Sequence, residues 1–304
     1  MKKVLVLFHS QSGQLESYIN SSTEPLRASE EVKIDYFKVE PIHKFPYPWS
    51  FYSFFDAFPE AIYMNGCEIK PLDIIEDDYD LIIIGYTVWF LAPSIPMTGF
   101  LKSAQAKRLM KDKPVITLIA CRDMWVMAQE KMKVLINNVE GTLIDNAVLT
   151  DQGGSIQAFV TTPRWLFTGK KDPFWIFPAA GVSEEDISNS RRFGERLVNA
   201  LQKDEEKAQQ PLLKNLGAVS VNGKLVGSEK VGTRSFMVWG KLIQKSGKPG
   251  SMPRKLVITL YAVFLVILIL TVVPLNLLIK KLINPFRKKA IEQSIKYYEE
   301  PSGR

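Results

Sequence analysis

Two cysteines and two histidines are all that these 304 residues supply of the side chains that most often bind metals or pair as nucleophile and base. Cys67 and Cys121 lack the spacing of a metal site or a redox motif. His9 and His43 leave little from which to build a zinc centre or a Ser-His-Asp triad, so no metal is expected. The first apolar run is not followed by Gly-x-Gly-x-x-Gly, which argues against a dinucleotide-binding turn. No apolar leader opens the chain, so its large domain is expected to stay in the cytoplasm.

What is present starts at Val4 to Gln14, VLVLFHSQSGQ, where a short β-run empties into a small hydroxyl-rich turn. Val4 to Phe8 read as a strand buried on both faces, as in the parallel sheet of an α/β domain. Ser10, Ser12 and Gly13 then fall at its C-terminal end, where hydroxyls and free N–H groups opening the next helix can hold a dianion. The same residues also suit an ordinary strand-to-helix turn, in which serine and glycine serve as caps.

A second apolar run, Tyr79 to Ile84, ends in Gly85-Tyr86-Thr87-Val88-Trp89-Phe90-Leu91-Ala92-Pro93. Together the two loops resemble those of the flavodoxin and flavin-dependent quinone reductase superfamily, over roughly residues 1 to 202. That resemblance implies a doubly wound α/β fold with a five-stranded parallel sheet in the order 2-1-3-4-5. Strands are expected near residues 4, 33, 81, 115 and 147. It also implies FMN, with Ser10, Ser12, Gly13 and Gln14 around the phosphate and Gly85, Tyr86, Thr87, Val88, Trp89 and Phe90 flanking the ring. A third loop, Cys121 to Trp125, is expected to edge the flavin at the sheet's C-terminal rim. Cys121 equally reads as a small buried hydrophobe. One departure stands out: Leu15 occupies the place where that family usually ends its first loop with threonine. The missing hydroxyl is worth about 1 kcal/mol of phosphate binding. Tyr86, Arg122 and Asp123 are the reachable candidates for catalysis.

Two aromatic inserts distinguish the chain from a plain electron carrier. Residues 43–63 read HKFPYPWSFYSFFDAFPEAIY, and residues 159–177 include Trp165, Leu166, Phe167, Phe174, Trp175 and Phe177. As loops they would form a secondary core, wall an apolar pocket that includes Trp49 and Phe54, or lie at a membrane interface. After them, Ser183 is placed to cap the domain's last helix, with Glu184 to Asp186 at its positive end.

Charge divides the chain. Residues 210–304 hold sixteen Lys/Arg against four Asp/Glu, a surplus of +12, which leaves −5 for the first 209. The boundary is expected after residue 209, followed by a basic linker or small β module over 210–255. Leu256 to Ile279 then carries no ionisable side chain apart from Tyr261. A run of that length can cross a hydrocarbon core as a helix. The expected partner of the tail at 280–304 is therefore an anionic (inner) membrane, not nucleic acid. Both flanks are basic, so the positive-inside rule does not choose between a single span and a hairpin or in-plane anchor.

A narrower resemblance rests on VLVLFHSQSGQL, FPYPWSFYSFFDAFPE and the apolar C-terminal run. Together these look like the dialkylresorcinol-condensing proteins of bacterial dialkylresorcinol and flexirubin-type pathways. That family implies a ketosynthase partner and aromatisation of a 2,5-dialkylcyclohexane-1,3-dione. A generic NAD(P)H:quinone reductase and a flavin-free scaffold use the same residues differently.

Overall fold

The computed structural model describes residues 1–74, 76–272, 275 and 288–302. Strands form where the apolar runs are: β1 (Lys2–Phe8), β2 (Val32–Lys38), β3 (Leu81–Trp89), β4 (Ala92–Pro93), β5 (Pro114–Cys121) and β6 (Thr142–Thr150). β4 is a two-residue hook antiparallel to the end of β3, and the other five strands are parallel in the order β2-β1-β3-β5-β6. The expected order counted parallel strands only, so β4 shifts the last two numbers.

Alternation along each strand feeds two cores. Val4, Val6, Leu81 and Ile83 pack under α1 (Gln14–Ala28) and α8 (Arg191–Gln202). Leu5, Leu7, Ile82, Ile84 and Tyr86 face α3 (Ile95–Leu101), α4 (Ala104–Met110) and α5 (Val126–Asn138) on the other side. Helices on both faces are what parallel strands with long crossovers require. The Ser183 hydroxyl does accept a bond from Asp186 N (3.0 Å), but the helix it opens is the short α7 (Glu184–Asn189), and the expected last helix, α8, starts separately after Ser190.

The inserts depart from expectation, because each is built on a helix. Ser50 accepts from Ser53 N at 3.2 Å and starts α2 (Phe51–Ile62), while α6 (Gly154–Thr168) carries Phe159, Trp165, Leu166 and Phe167 of the second insert, and Phe174, Trp175 and Phe177 follow it in a hairpin. The stretch 210–255 is not a β module either. It contains α9 (Gly223–Ser246), preceded by a segment that completes the core. Leu212, Leu213 and Ala218 sit in one core and Val219, Val221 and Val226 in the other. Leu213 N donates to the buried Asp145 (2.6 Å), and Ala218 O accepts from Val148 N (2.8 Å). A boundary after residue 209 would cut through both cores.

The apolar run forms α10 (Met252–Leu270), one helix long and apolar enough to cross a membrane, with a mean hydropathy of 2.1. Its first turns dock on α2 and α9. Arg254, 1% exposed, bonds Asp56 Oδ1 and Glu60 Oε2 at 2.6 Å each, and Tyr261 stacks on Phe58 with centroids 4.9 Å apart. Beyond Tyr261 no residue of α10 is buried. Of the rest of the expected segment and its basic flank, residues 273, 274 and 276–287, which include Pro274, Asn276, Lys280, Lys281 and Arg287, lie outside the described residues.

Candidate functional site

The C-terminal ends of β1, β3, β5 and β6 open onto one cleft, as the carboxyl edge of a doubly wound sheet does. It has two lobes, of about 270 and 320 Å³, which share Ser12, Gln14, Tyr47 and Trp165.

The polar lobe is built on the start of α1. Gly13, with φ of 85°, turns the chain into the helix where another residue would be strained, and no side chain caps it. The N–H groups of the first turn therefore point outward with the positive helix end behind them. Just before them, Ser10 Oγ is buried without a hydrogen-bond partner. Thr87 Oγ1 and Thr162 Oγ1, from residues lining the neighbouring lobe, are orphaned in the same way. Buried hydroxyls are ordinarily satisfied, so the Thr87 and Thr162 pair lining the apolar lobe marks a place for a polar ligand group. Gln14's side chain is already committed: its oxygen accepts from Val182 N (3.0 Å) and its nitrogen donates to Val182 O (3.1 Å). Gly181, with φ of 91°, lies against that amide so closely that a Cβ would meet Gln14 Oε1 at 2.6 Å. Leu15 is in the core, 1% exposed, which explains why no hydroxyl stands there.

The apolar lobe is walled by Trp49, Phe54, Trp89, Phe90, Trp165 and Leu166. Trp49 contacts Trp89 edge-on at 5.4 Å, and Phe54 packs on Phe90 at 4.7 Å and Phe167 at 5.5 Å. Both inserts are anchored by backbone, since Trp49 N donates to Leu166 O at 2.8 Å. Phe90 takes the left-handed conformation (φ 51°), turning β3 back toward β4. Arg122, its guanidinium 4.2 Å above the Phe159 ring, is the one cation lining this lobe among the described residues. Burial lowers its pKa, opposed by Asp123 and Asp151. Asp151 is the lone carboxylate there; burial raises its pKa, and its oxygens accept from Gly153 N (2.7 Å) and Gly181 N.

Of the residues expected at the site, Ser12, Gln14, Thr87, Val88, Trp89, Phe90, Cys121, Arg122, Trp49 and Phe54 line the apolar lobe, and Gly13 joins the polar one. Five do not line the cleft. Ser10, 7% exposed just before the turn into α1, lines neither lobe. Tyr86 is 0% exposed and donates its hydroxyl to Gln129 Oε1 at 2.7 Å on the α5 side of the sheet, out of reach of a ligand. Gly85 is a packing glycine, since a Cβ there would lie 2.3 Å from Ile19 Cδ1. Trp125 is core, 2% exposed at the start of α5. Asp123 accepts from Met124 N (2.8 Å), holding its own turn. Cys121 lines the lobe with a thiol pushed well above its ordinary pKa by burial, which suits the inert reading over a nucleophile. Asp151, Thr162, Lys171 and Gly181 were missed. Asp151 alone left a sequence signal, an acid directly after the last apolar strand. No group of three or more His, Cys, Asp or Glu that could hold a metal occurs among the described residues.

No family model matches the chain, and no curated protein does. Its structural neighbours are flavodoxin-like flavoproteins. A flavoprotein in complex with FMN from Lactobacillus acidophilus NCFM is 20% identical, over 49% of this chain and 93% of that one, with a TM-score of 0.39. A flavodoxin, WrbA-like protein from Agrobacterium tumefaciens is 13% identical, over 67% and 99%, with a TM-score of 0.37. A flavone reductase is 11% identical, over 67% and 64%, also at 0.37.

Proposed function

We propose that this chain is a membrane-held, FMN-dependent oxidoreductase acting on an apolar cyclic dione or quinone. The observation that supports it is the division of one cleft into an open, uncapped helix N-terminus and an adjoining lobe of aromatic walls that holds the unpartnered Thr87 and Thr162 hydroxyls. The residues present fit a flavin mononucleotide. Ser10, Ser12 and the N–H groups of the first turn of α1 would hold its one terminal phosphate. Trp89, Phe90 and Cys121 would border its ring. Bound there, FMN supplies reversible two-electron acceptance.

The chain's own residues do the rest. Trp49, Phe54, Trp165 and Leu166 exclude water and seat an apolar ring. Arg122 supplies a positive charge where electron density collects on reduction, and Asp151 with the Gly153 and Gly181 amides holds the loop opposite. Our finer reading is aromatisation of a 2,5-dialkylcyclohexane-1,3-dione to a dialkylresorcinol. The C–H between two carbonyls is acidic, so the dione enolises readily. Loss of a further proton and a hydride from adjacent ring carbons then completes the aromatic diol. Two electrons and two protons leave the ring in all, destined for a quinone or dioxygen acceptor. Alkyl chains partition into lipid by about 0.8 kcal/mol per buried CH₂, which accounts for aromatic walls in a chain that carries a span such as α10. The turns of α10 up to Tyr261 pack on α2 and α9, and the nine residues beyond, about 14 Å of helix, are free to enter a bilayer core of roughly 30 Å. A ketosynthase that makes the dione is the expected partner.

The test is to purify the full chain in detergent, record its visible spectrum, then supply a dialkylcyclohexanedione and follow resorcinol formation. Bound flavin and dione-dependent reduction support the assignment. Bound flavin with NAD(P)H-driven quinone reduction and no dione oxidation would make it a generic quinone reductase. Native protein without flavin, and without binding on titration, would leave a scaffold for the synthase.

A further inference from the structure

Between α6 and α7 the chain makes a hairpin that the cleft does not use. Phe174 and Phe177 exchange both backbone hydrogen bonds (3.1 and 2.9 Å), so the reversal is made by Trp175 and Ile176 alone. Trp175 accepts the left-handed conformation this requires, with φ of 52°. The turn is braced from behind. The rings of Phe174 and Phe177 stack at 5.2 Å, and the Arg164 guanidinium lies 4.4 Å over Phe174. The same guanidinium donates to the carbonyls of Lys170 (3.2 Å) and Asp172 (2.7 Å).

This bracing fixes the tip pointing outward. Trp175 is 93% exposed and Ile176 86%, the two most exposed large apolar side chains described in the chain. Single exposed apolar residues are unremarkable on protein surfaces, but an adjacent Trp-Ile pair held out on a hydrogen-bonded turn is a surface that water does not favour. We propose that Trp175 and Ile176 form a finger that inserts into the interfacial layer of a phospholipid bilayer.

Three observations favour lipid as the occupant. Two side chains are too small a patch for a stable protein interface, which buries about 800 Å² on each partner, whereas a bilayer accepts isolated side chains one by one. Tryptophan is at its most comfortable at headgroup depth. Lys170 and Lys171 stand exposed at the base of the hairpin, Lys171 only loosely paired with Glu184 at 3.5 Å, where phosphate headgroups would lie once the tip is inserted. The finger deepens the membrane reading given above and rests on it. α10 would hold the chain to the bilayer through the first insert, and the finger would add a second point of attachment through the second. Because α6 carries Trp165 and Leu166, both walls of the apolar lobe would then be referenced to the lipid surface.

The test places an environment-sensitive nitrobenzoxadiazole label at Ile176→Cys in the full chain, with Glu30→Cys before β2 as the control. Cys67 and Cys121 are partly buried and their thiols are raised by that burial, so they react slowly, and the unsubstituted chain sets the background. The chain is reconstituted in phosphatidylcholine vesicles with and without phosphatidylglycerol, and flotation is measured alongside fluorescence. The finger predicts a blue shift at position 176, loss of more than half the emission on brominated acyl chains, and neither change at position 30. A chain that floats while its label at 176 stays solvent-like overturns the finger and leaves the anchor standing. A chain that does not float overturns both. A blue shift that grows with protein concentration in detergent, before lipid is added, would instead assign the tip to a second copy.

Discussion

The indole N–H of Trp49 donates to the side-chain oxygen of Gln11 at 3.0 Å, and Gln11 in turn donates to Pro46 O at 2.9 Å. The first insert is thereby tied to the loop that opens α1. Trp49 is 4% exposed among Phe45, Phe54 and Trp89, so Trp49→Ala should cost about 3–5 kcal/mol of stability and report packing as much as catalysis. Trp49→Phe keeps a ring and removes the bond. We expect it to lose about 1 kcal/mol in stability and to lower kcat/KM for long-chain substrates more than for short ones, read from melts and paired kinetics.

Ser10 and Ser12 should respond with different signatures. Ser12 is exposed, so Ser12→Ala should weaken flavin about fivefold, one net hydrogen bond, at unchanged melting temperature. The Ser10 hydroxyl is buried and unpartnered without ligand. Ser10→Ala should therefore leave the flavin-free protein as stable or up to about 1 kcal/mol more so, while weakening flavin to a similar degree. Equal loss of stability with and without flavin would remove Ser10 from the phosphate site.

Glu229 on α9 is 2% exposed and accepts from Met127 N at 2.9 Å, capping α5 from another helix. Burial pushes its pKa up to about 8, against the pull of the Met127 and Val126 amides. A folded pKa above the unfolded one means that the native state binds more protons between about 4.5 and 8, so stability falls as pH rises through that window. The slope contributed is at most about 1.4 kcal/mol per pH unit. Glu229→Gln keeps an acceptor for Met127 N and should flatten the fall measured by denaturant titration. Asp145, raised to about 6 by burial, acts in the same direction over a lower range.

A chain ending at residue 209 should fail to fold, because it lacks Leu212, Leu213, Ala218, Val219, Val221 and Val226 from both cores. Soluble expression of that fragment with a cooperative melt would contradict the packing described.

Arg254→Met should cost about 3 kcal/mol, because it strands the Asp56 and Glu60 carboxylates against an apolar helix. Unfolding in mixed detergent micelles reads the loss, and Arg254→Lys should restore part of it through one of the two carboxylates.

Much of the fold was legible because burial on both faces leaves unbroken apolar runs, and those runs are the strands. The glycine and serines before α1 were legible for a related reason, since a sharp turn into a helix admits few residue types. The inserts were not, because aromatics fill eight of the fourteen positions 45–58 and no helical period stands out against the prolines. In α9, glycines at 227, 232 and 240 and scattered lysines hid a helix that tertiary packing stabilises. Tyr86 was misplaced although the signal was present: it shares the alternation of Ile82 and Ile84, which puts it on the α5 face. Asp151 left a local trace as an acid directly after the last apolar strand, but its place at the cleft follows only from β6 lying beside β5.

Helix α2 turns Phe54 toward the cleft and Phe58 toward Tyr261 of α10. Cleft and α10 are therefore not interchangeable modules. A chimera that replaced α10 with a foreign apolar helix would strip the stacking partner from Phe58 and the cation from Asp56, and one that replaced the first insert would leave Arg254 without its carboxylates. In the descent of this chain, positions 54 to 60 and 254 to 261 are bound to be inherited together, and a change in one is expected to be answered by a change in the other.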